Sequence, residues 1–540
     1  MTQQPTTSRH APETAGADLP GPRSRGGVRR GPWSVFLLAF GVLFLLMGSY
    51  SAATPQGASP DEPAHAMRAY AAAHGELFGP DSRSVPGTID LRVSTYFAQL
   101  ESHMPCFKRD ITQTPSCVTP IADPDRAATG HSSTSVSTPV FYLAVGWPTL
   151  VLDGAKGLYA MRLAGAALCA ALLALAFVAL RSVPNHRWAT LALAVGVTPM
   201  TLFLSGTVNP NGLEVAATAA VFSLLVATFA APARRAVFAW RVVGVVVVSL
   251  LLVNTRSIAL LWLVLALVAA LLVADRTALR SALRSWVLWA GVAVIGVVAA
   301  VVAVFYFRPR SLTPAYQAPG IGGTRSEGFF WAFDQTFSFM TGWIAQFGWM
   351  EIPAPAIAIV VWASVGGALL IVGVSLGPVR LRLAALLVGL ALLLVPPITQ
   401  ASVIAVAGYV WQGRYTLAPA VMLLVLAGMG IDRALRAPSA DRRTVLLVRV
   451  AIALVAIAQI GAFVWMLRRY VTGMTATSTW LDMLRAPVWQ PPGGWLLPVL
   501  VFVIAAAAGA LLLERAVARG AVDGPDELGD RAGHRATMVA

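Results

Sequence analysis

Residues 33–50 read WSVFLLAFGVLFLLMGSY, eighteen positions without one charged side chain. A helix needs roughly 20 apolar residues to cross a bilayer, and this run has no polar face to present to water. Arg29 and Arg30 stand just before it, at the end of a tail rich in Pro, Gly, Ser and Thr. Basic residues beside a span stay in the cytoplasm. The tail, residues 1–32, is therefore expected to be disordered and cytoplasmic, with the first helix running outward. A cleaved signal peptide ending near Ser51-Ala52-Ala53 is the competing reading. The length of the run and of the tail before it favours a retained span.

Working outward, the whole chain repeats this pattern. Its 540 residues are 57% hydrophobic and 12% charged, about half the ~25% charge of a soluble domain. That excludes a soluble enzyme. The net charge of +15 resembles a nucleic-acid binder's, but it comes from arginines clustered between apolar runs. Positive-inside loops explain it, and no nucleic-acid partner is expected.

The stretch 139–152 decides the topology. It is apolar but only fourteen residues long, which suits a juxtamembrane or re-entrant helix better than a span. If it does not cross, the remaining runs are 33–50, 158–180, 188–206, 211–231, 238–254, 256–274, 285–306, 355–375, 383–408, 415–431, 446–467 and 496–513. The clusters Arg181/Arg187, Arg234/Arg235/Arg241, Arg276/Arg280/Arg284, Arg380/Arg382 and Arg433/Arg436/Arg442/Arg443 then all face the cytoplasm. Counting 139–152 as a crossing would put every one of them outside. The fold class is thus an all-α polytopic membrane protein of about twelve transmembrane helices over 33–513, with both termini cytoplasmic and a second disordered tail at 514–540. The misfit is Arg468-Arg469, which falls outside. The elaborate segments are outer ones: a first loop at 54–157 carrying juxtamembrane helices, and further loops at 307–354 and 468–495. The inner loops are short, and no GxxxxGK[ST] phosphate loop occurs, so no nucleotide cofactor is expected.

The first outer loop holds ten acidic and seven basic residues, so it is not a patch for anionic lipid. Within it, Ser59-Pro60-Asp61-Glu62-Pro63-Ala64-His65 opens a helix. Ser59 with Glu62 fits a capping box, Pro60 fits the first helical position, and Gly75 fits the stop. Capping explains neither Asp61 nor His65. At i and i+4 they share a face, as a metal-ligand pair or as a base with its orienting partner. Of the other histidines there, His74, His103 and His131 read as solvated. Cys106 and Cys117, ten residues between them, are expected to form a disulfide if this loop lies outside the cytoplasm; Cys169, in an apolar run, reads as core.

Other outward features are candidates of a weaker kind. The turn Ser205–Gly212 contains Asn209 and Asn211, and its Asn, Pro and Gly are what any tight turn needs. Glu214 sits just inside the next span, where a carboxylate is a functional candidate that a helix N-terminus also stabilises. Arg256 in the turn after Asn254, and Arg414 in Gln412-Gly413-Arg414-Tyr415, either snorkel to the interface or grip a phosphate.

The order of these pieces is similar to the DUF2142 family of bacterial membrane proteins, which in turn resembles the GT-C glycosyltransferases. The residues carrying the resemblance are the Pro-Asp-Glu-x-x-His helix, Ser137-Thr138-Pro139-Val140-Phe141-Tyr142, Arg162, Ser205–Pro210, Phe347-Gly348-Trp349 and Gln412–Tyr415. They cover residues 33–470. The resemblance implies a transferase of the bacterial cytoplasmic membrane that moves a sugar from a polyprenyl-phosphate donor to a glycan or lipid acceptor of the cell envelope, at the outer face. By that resemblance Asp61 is the base, with Glu62 and His65 as helpers. A divalent cation (Mg, Mn or Ca) would sit on Asp61 and His65. Arg162, Arg256 and Arg414 would hold the donor phosphate, and Tyr142, Asn209, Asn211, Glu214, Trp349, Gln412 and Tyr415 would line the substrate. The juxtamembrane 139–152 helix would lie near the acceptor. The chain departs from the pattern at Asn211, where an acidic residue is expected. Two other readings stay open: a transporter or flippase of lipid-linked sugars, and a non-catalytic component of envelope polysaccharide assembly.

Overall fold

The computed structural model describes residues 31–103, 106–134, 137–307, 318–435 and 442–517. Each of the twelve expected segments is helical, and ten of the described helices are long and apolar enough to span a membrane. Two segments differ from the expectation. The segment at 188–206 is a pair, Arg187–Gly196 and Pro199–Ser205, bent by 64°. The break follows from Pro199, which cannot donate to the preceding turn and disfavours α geometry at Thr198. Thr198 is extended and caps the second helix through the backbone N–H of Thr201. The carbonyls freed by the bend do not go unpaired: Trp362 donates to Val195 O (2.9 Å) and Gln459 to Val197 O (2.7 Å). Neighbouring helices must supply such donors where no water can. The segment at 256–274 shortens to Ala259–Leu272, fourteen residues, or about 21 Å of rise. An interfacial helix follows it, Arg276–Leu283, capped by Asp275. The count is thus ten spans, or eleven with the bent pair, rather than twelve.

Helix Pro210–Phe229 is the axis of the bundle, buried at every position. By contrast Trp286–Phe307 buries only Gly291 and Val302, so its Val-rich surface is left to lipid. Most of the expected tails at 1–32 and 514–540 lie outside the described residues; Pro32 and residues 514–517 continue the first and last helices.

The first loop is more ordered than its sequence suggested. Helix Glu62–Ala73 packs over a two-stranded antiparallel sheet, Ile89–Ser94 with Ala127–Ser132, in register Leu91 to Gly130. A side chain at Gly130 would meet the Met67 sulfur, so the helix lies directly on that strand. The 139–152 segment is the short helix Val140–Gly146 followed by a 3-10 turn, Trp147–Leu150. It buries Phe141, Tyr142 and Val145 while exposing Leu143, Trp147, Leu150 and Val151, as a helix lying at a membrane surface should. It crosses Glu62–Ala73 in backbone contact, since a Cβ at Gly146 would run into Ala69 O. Cys106 and Cys117 form the expected disulfide. Cys169 is buried in the core.

The arginine pair that broke the charge rule anchors outer loops, Arg469 this one and Arg468 the one at 468–495. Arg469 is fully buried and donates to the carbonyls of Phe107, Asp110 and Gln113 (2.8, 2.7 and 2.6 Å), and its Nε lies 3.7 Å from Glu351. Arg468 donates to Ser478 O (2.8 Å). Both are spent on protein carbonyls, so neither reports loop charge.

Candidate functional site

The stretch before helix Glu62–Ala73 is held in place by other elements, and capping plays no part. Ser59 Oγ shares a hydrogen bond with Thr207 Oγ1 (3.0 Å), and Asn209 Nδ2 donates to Pro60 O (2.9 Å). Trp349 Nε1 donates to Gly57 O (3.1 Å), with the Lys108 ammonium 3.5 Å above its indole. The expected capping box is absent: the helix begins at Glu62, and its N-cap residue, Asp61, makes no side-chain cap. Ser59 and Glu62 have stronger partners elsewhere.

Glu62 and Arg162 form a two-point ion pair, with Nε to Oε1 at 2.7 Å and Nη2 to Oε2 at 2.6 Å, and both side chains fully buried. Arg162 also donates to the carbonyls of Ser51, Thr54 and Pro55 (2.9, 2.7 and 2.8 Å). All five guanidinium N–H groups are then used. Glu62 Oε1 also accepts from Val208 N (3.0 Å). The sequence-based expectation gave Glu62 a helper's role and Arg162 a phosphate. The structure puts both into the strut that ties the first helix, the Asp61 loop and the Ser205–Pro210 turn together. Neither has an atom left to offer a ligand.

Beyond this strut, the remaining polar candidates converge on Asp61. Its backbone is left-handed, φ 62 and ψ 2, a conformation uncommon outside glycine that Asp and Asn tolerate best. It carries the carboxylate off the helix end toward Arg414, whose Nη2 donates to Oδ2 at 2.7 Å. Arg414 is buried, yet 48% of the Asp61 side-chain surface is accessible. The Arg414 guanidinium carbon lies 5.4 Å from the centroid of the Tyr415 ring, and its Nε and Nη1 make no well-formed hydrogen bond. Arg256 lies over the same ring at 4.2 Å, donating to Asn211 Oδ1 (2.6 Å) and Glu214 Oε2 (3.3 Å). One tyrosine thus separates two guanidinium groups, each with a carboxylate. Asn211, where an acidic residue was expected, keeps the contact to Arg256 as an amide. Gln412 Oε1 is buried without a partner.

Burial alone would raise the Asp61 carboxyl, but Arg414, His65 and Arg256 outweigh it and hold its pKa below the usual carboxylate value. His65 is pushed the other way. Burial first, with Arg414 and Arg256 adding to it against the pull of Asp61, lowers its imidazole to about 4. Its Nδ1 shares a 2.9 Å hydrogen bond with Tyr142 OH, whose own pKa burial raises to about 12. At neutral pH the site therefore holds an ionised Asp61, a neutral His65 and a protonated Tyr142.

This sets the acid sensitivity. An unfolded His65 takes a proton near 6.5, whereas the folded one resists until about 4. The stability that a neutral His65 contributes is fully present above pH 6.5 and is lost as pH falls through that window. The expected result is an apparent melting temperature that drops from pH 6.5 to 4.5, with a visibly shallower drop in His65→Gln. His186, also kept neutral by burial, maintains part of the slope in that variant. An equal slope in both proteins would contradict a buried neutral His65.

Sequence reasoning missed Arg68, three residues beyond His65, buried 5.9 Å from the centroid of the Tyr142 ring. Its i+3 spacing from His65 was the available signal. A cation on Asp61 and His65 does not fit the geometry. Among the described residues no three His, Cys, Asp or Glu side chains gather as ligands, and the two candidates stand against two guanidinium groups, one already paired with Asp61. A cavity of about 720 Å³ beside the first loop, lined by Gln56, Tyr96, His103 and Asp153, does not include Asp61.

Fold and site together define a polytopic helical membrane protein with a half-open carboxylate set against paired arginines at one end of its bundle. The family model described as "Predicted membrane protein (DUF2142)" matches residues 43–424, and the chain belongs to that family. No curated protein matches it. Among solved structures, ArnT from Cupriavidus metallidurans bound to undecaprenyl phosphate aligns over 90% of this chain and 78% of its own, at 13% identity and a TM-score of 0.43.

Proposed function

We propose that the protein is a membrane glycosyltransferase that moves a sugar from a polyprenyl-phosphate donor to a cell-envelope acceptor, working at the outer face of the membrane. The observation that carries this reading is the pairing of an accessible, ionised Asp61 with Arg414, backed by Arg256 across Tyr415. It supplies a base and a phosphate grip side by side. The disulfide Cys106–Cys117 in the same loop supports the outer placement, since such bonds persist outside the reducing cytoplasm.

In this reading Asp61 takes the proton of an acceptor hydroxyl. The hydroxyl oxygen bonds to the anomeric carbon of the sugar. The bond from that carbon to the phosphate oxygen breaks, and its electron pair leaves with the polyprenyl phosphate. Arg414 and Arg256 stabilise the charge that develops there. Donor phosphate would compete with Asp61 for Arg414, and loss of that partner raises the carboxylate's basicity as the substrate arrives. Positioned bases contribute about 10²–10⁴-fold, and an already activated lipid-phosphate sugar needs no nucleotide.

Titration of the detergent-purified protein with a polyprenyl phosphate, followed by native mass spectrometry, tests the grip. Wild type is expected to retain one lipid. Arg256→Gln with Arg414→Gln is expected to weaken retention by roughly a hundredfold, since a hydrogen bond to a charged group is worth about 1.5–3 kcal/mol. Equal retention by the two proteins would remove the arginines from the donor site.

A further inference from the structure

Several arginines at the end of the bundle away from Asp61 are spent within the protein. Arg241, Arg382 and Arg433 donate to main-chain carbonyls, and Arg449 pairs with Glu514. The interfacial helix Arg276–Leu283 differs. Arg276, Arg280 and Arg284 recur every fourth position and so share a face, and all three are exposed. Ala278 and Ala282, on the other side, are buried. The acid beside them, Asp275, accepts from the N–H groups of Thr277 and Ala278 (2.9 Å each) and so caps the helix. Arg234 and Arg235 extend this surface from the start of helix Arg235–Val253. That helix packs along Trp286–Phe307, where Gly291 meets Val242 and Val246. Arg235 and Arg284 each stand seven residues back from this contact, which brings them to one level. Among the described residues none of the five arginines makes an ion pair. Next along the same two spans come Trp240 and Trp286, 75% and 78% exposed. Trp289 follows, its indole N–H turned back to Leu283 O (2.9 Å).

We infer that the exposed arginine face of helix Arg276–Leu283 docks on anionic phospholipid headgroups of the leaflet it borders. Charge complementarity commits it to that occupant. Guanidinium groups in a row suit phosphate oxyanions, and clustered arginines on an amphipathic helix are attracted to an anionic leaflet. The tryptophans settle which source of anionic charge is meant. Indoles beside arginines mark a membrane–water boundary, and a soluble acidic partner would answer the arginines but leave Trp240 and Trp286 uncovered. The preceding helix, Ala259–Leu272, adds a physical demand. Its rise of about 21 Å falls well short of a hydrocarbon core of roughly 30 Å. The bilayer thins around so short a span, and headgroups drawn inward there meet Arg276, Arg280 and Arg284 directly. The inference does not rest on the glycosyltransferase reading, and either can fail alone.

The test titrates detergent-purified full-length protein with dioleoyl phosphatidylglycerol or dioleoyl phosphatidylcholine, read by native mass spectrometry. Wild type is expected to hold phosphatidylglycerol about ten- to hundredfold more tightly than phosphatidylcholine, and to lose that preference at high salt. Replacing Arg276, Arg280 and Arg284 together by Gln is expected to bring the preference close to one. Replacing Arg83, Arg92 and Arg126 of the first outer loop by Gln removes as much charge elsewhere, and is expected to leave it unchanged. An equal loss in both triple variants would overturn the inference, by reducing the effect to net charge. A wild-type preference in the Arg276/Arg280/Arg284 variant would also overturn it, and would leave those arginines to an acidic soluble partner. Displacement of phosphatidylglycerol by millimolar inorganic phosphate would overturn it too, by showing a site for free anions. Should the triple variant fail to fold, Arg280→Gln decides alone, with an expected fall in preference of about fivefold.

Discussion

Asp61→Asn is expected to lower turnover by about 10²–10⁴-fold with little loss of folded protein. Asparagine keeps the size of aspartate and tolerates the left-handed backbone that residue 61 adopts. Its amide oxygen can still accept from Arg414 Nη2, so the buried guanidinium keeps a partner. The position is also half accessible, and water can complete whatever the amide leaves unsatisfied. What disappears is the ability to take a proton. Turnover measured beside a melting curve separates the two effects. Wild-type turnover in this variant would remove Asp61 from the chemistry, and a collapsed melting curve would make it a structural residue instead.

Arg162→Met is expected to have the largest effect on stability, and to act by unfolding. It strands the Glu62 carboxylate at zero exposure, and breaking a buried pair from one side costs about 3–5 kcal/mol. Three carbonyls, of Ser51, Thr54 and Pro55, lose their donors as well. Against a total stability of about 5–15 kcal/mol for a typical fold, that is a large share. The expected readout is loss of the monodisperse peak in size-exclusion chromatography. Adding Glu62→Gln should recover part of the yield by removing the stranded charge, though not all of it, because the carbonyls stay orphaned. A well-folded Arg162→Met that had lost lipid binding would instead return Arg162 to the phosphate site.

The membrane character was legible because apolar runs near 20 residues have few other uses. The order of short motifs carried the DUF2142 resemblance, which the match over residues 43–424 bears out. What the chain did not show is how partners compete. Ser59 and Glu62 satisfy a capping pattern locally, but Thr207 and Arg162, 148 and 100 residues away, are better partners. The bend at Pro199 was visible, whereas the donors from Trp362 and Gln459 that make it tolerable were not. The alternation Ile89, Leu91, Val93 is a strand signal that the helical reading of the loop passed over. Within the site, Asp61 and His65 stood out as neighbours on one helix face. That Arg256 and Arg414 share Tyr415 is a product of the fold, since the two arginines stand 158 positions apart in the sequence.

The most direct test of the central claim is to purify wild type and Asp61→Asn from the native membrane, and to identify the retained lipid by native mass spectrometry. The site as described predicts polyprenyl phosphate, the product, on the wild type. On Asp61→Asn it predicts the intact sugar conjugate, because the donor grip survives and the base does not. Absence of any polyprenyl lipid from both, even after one is added in excess, would contradict a donor site at Asp61, Arg256 and Arg414.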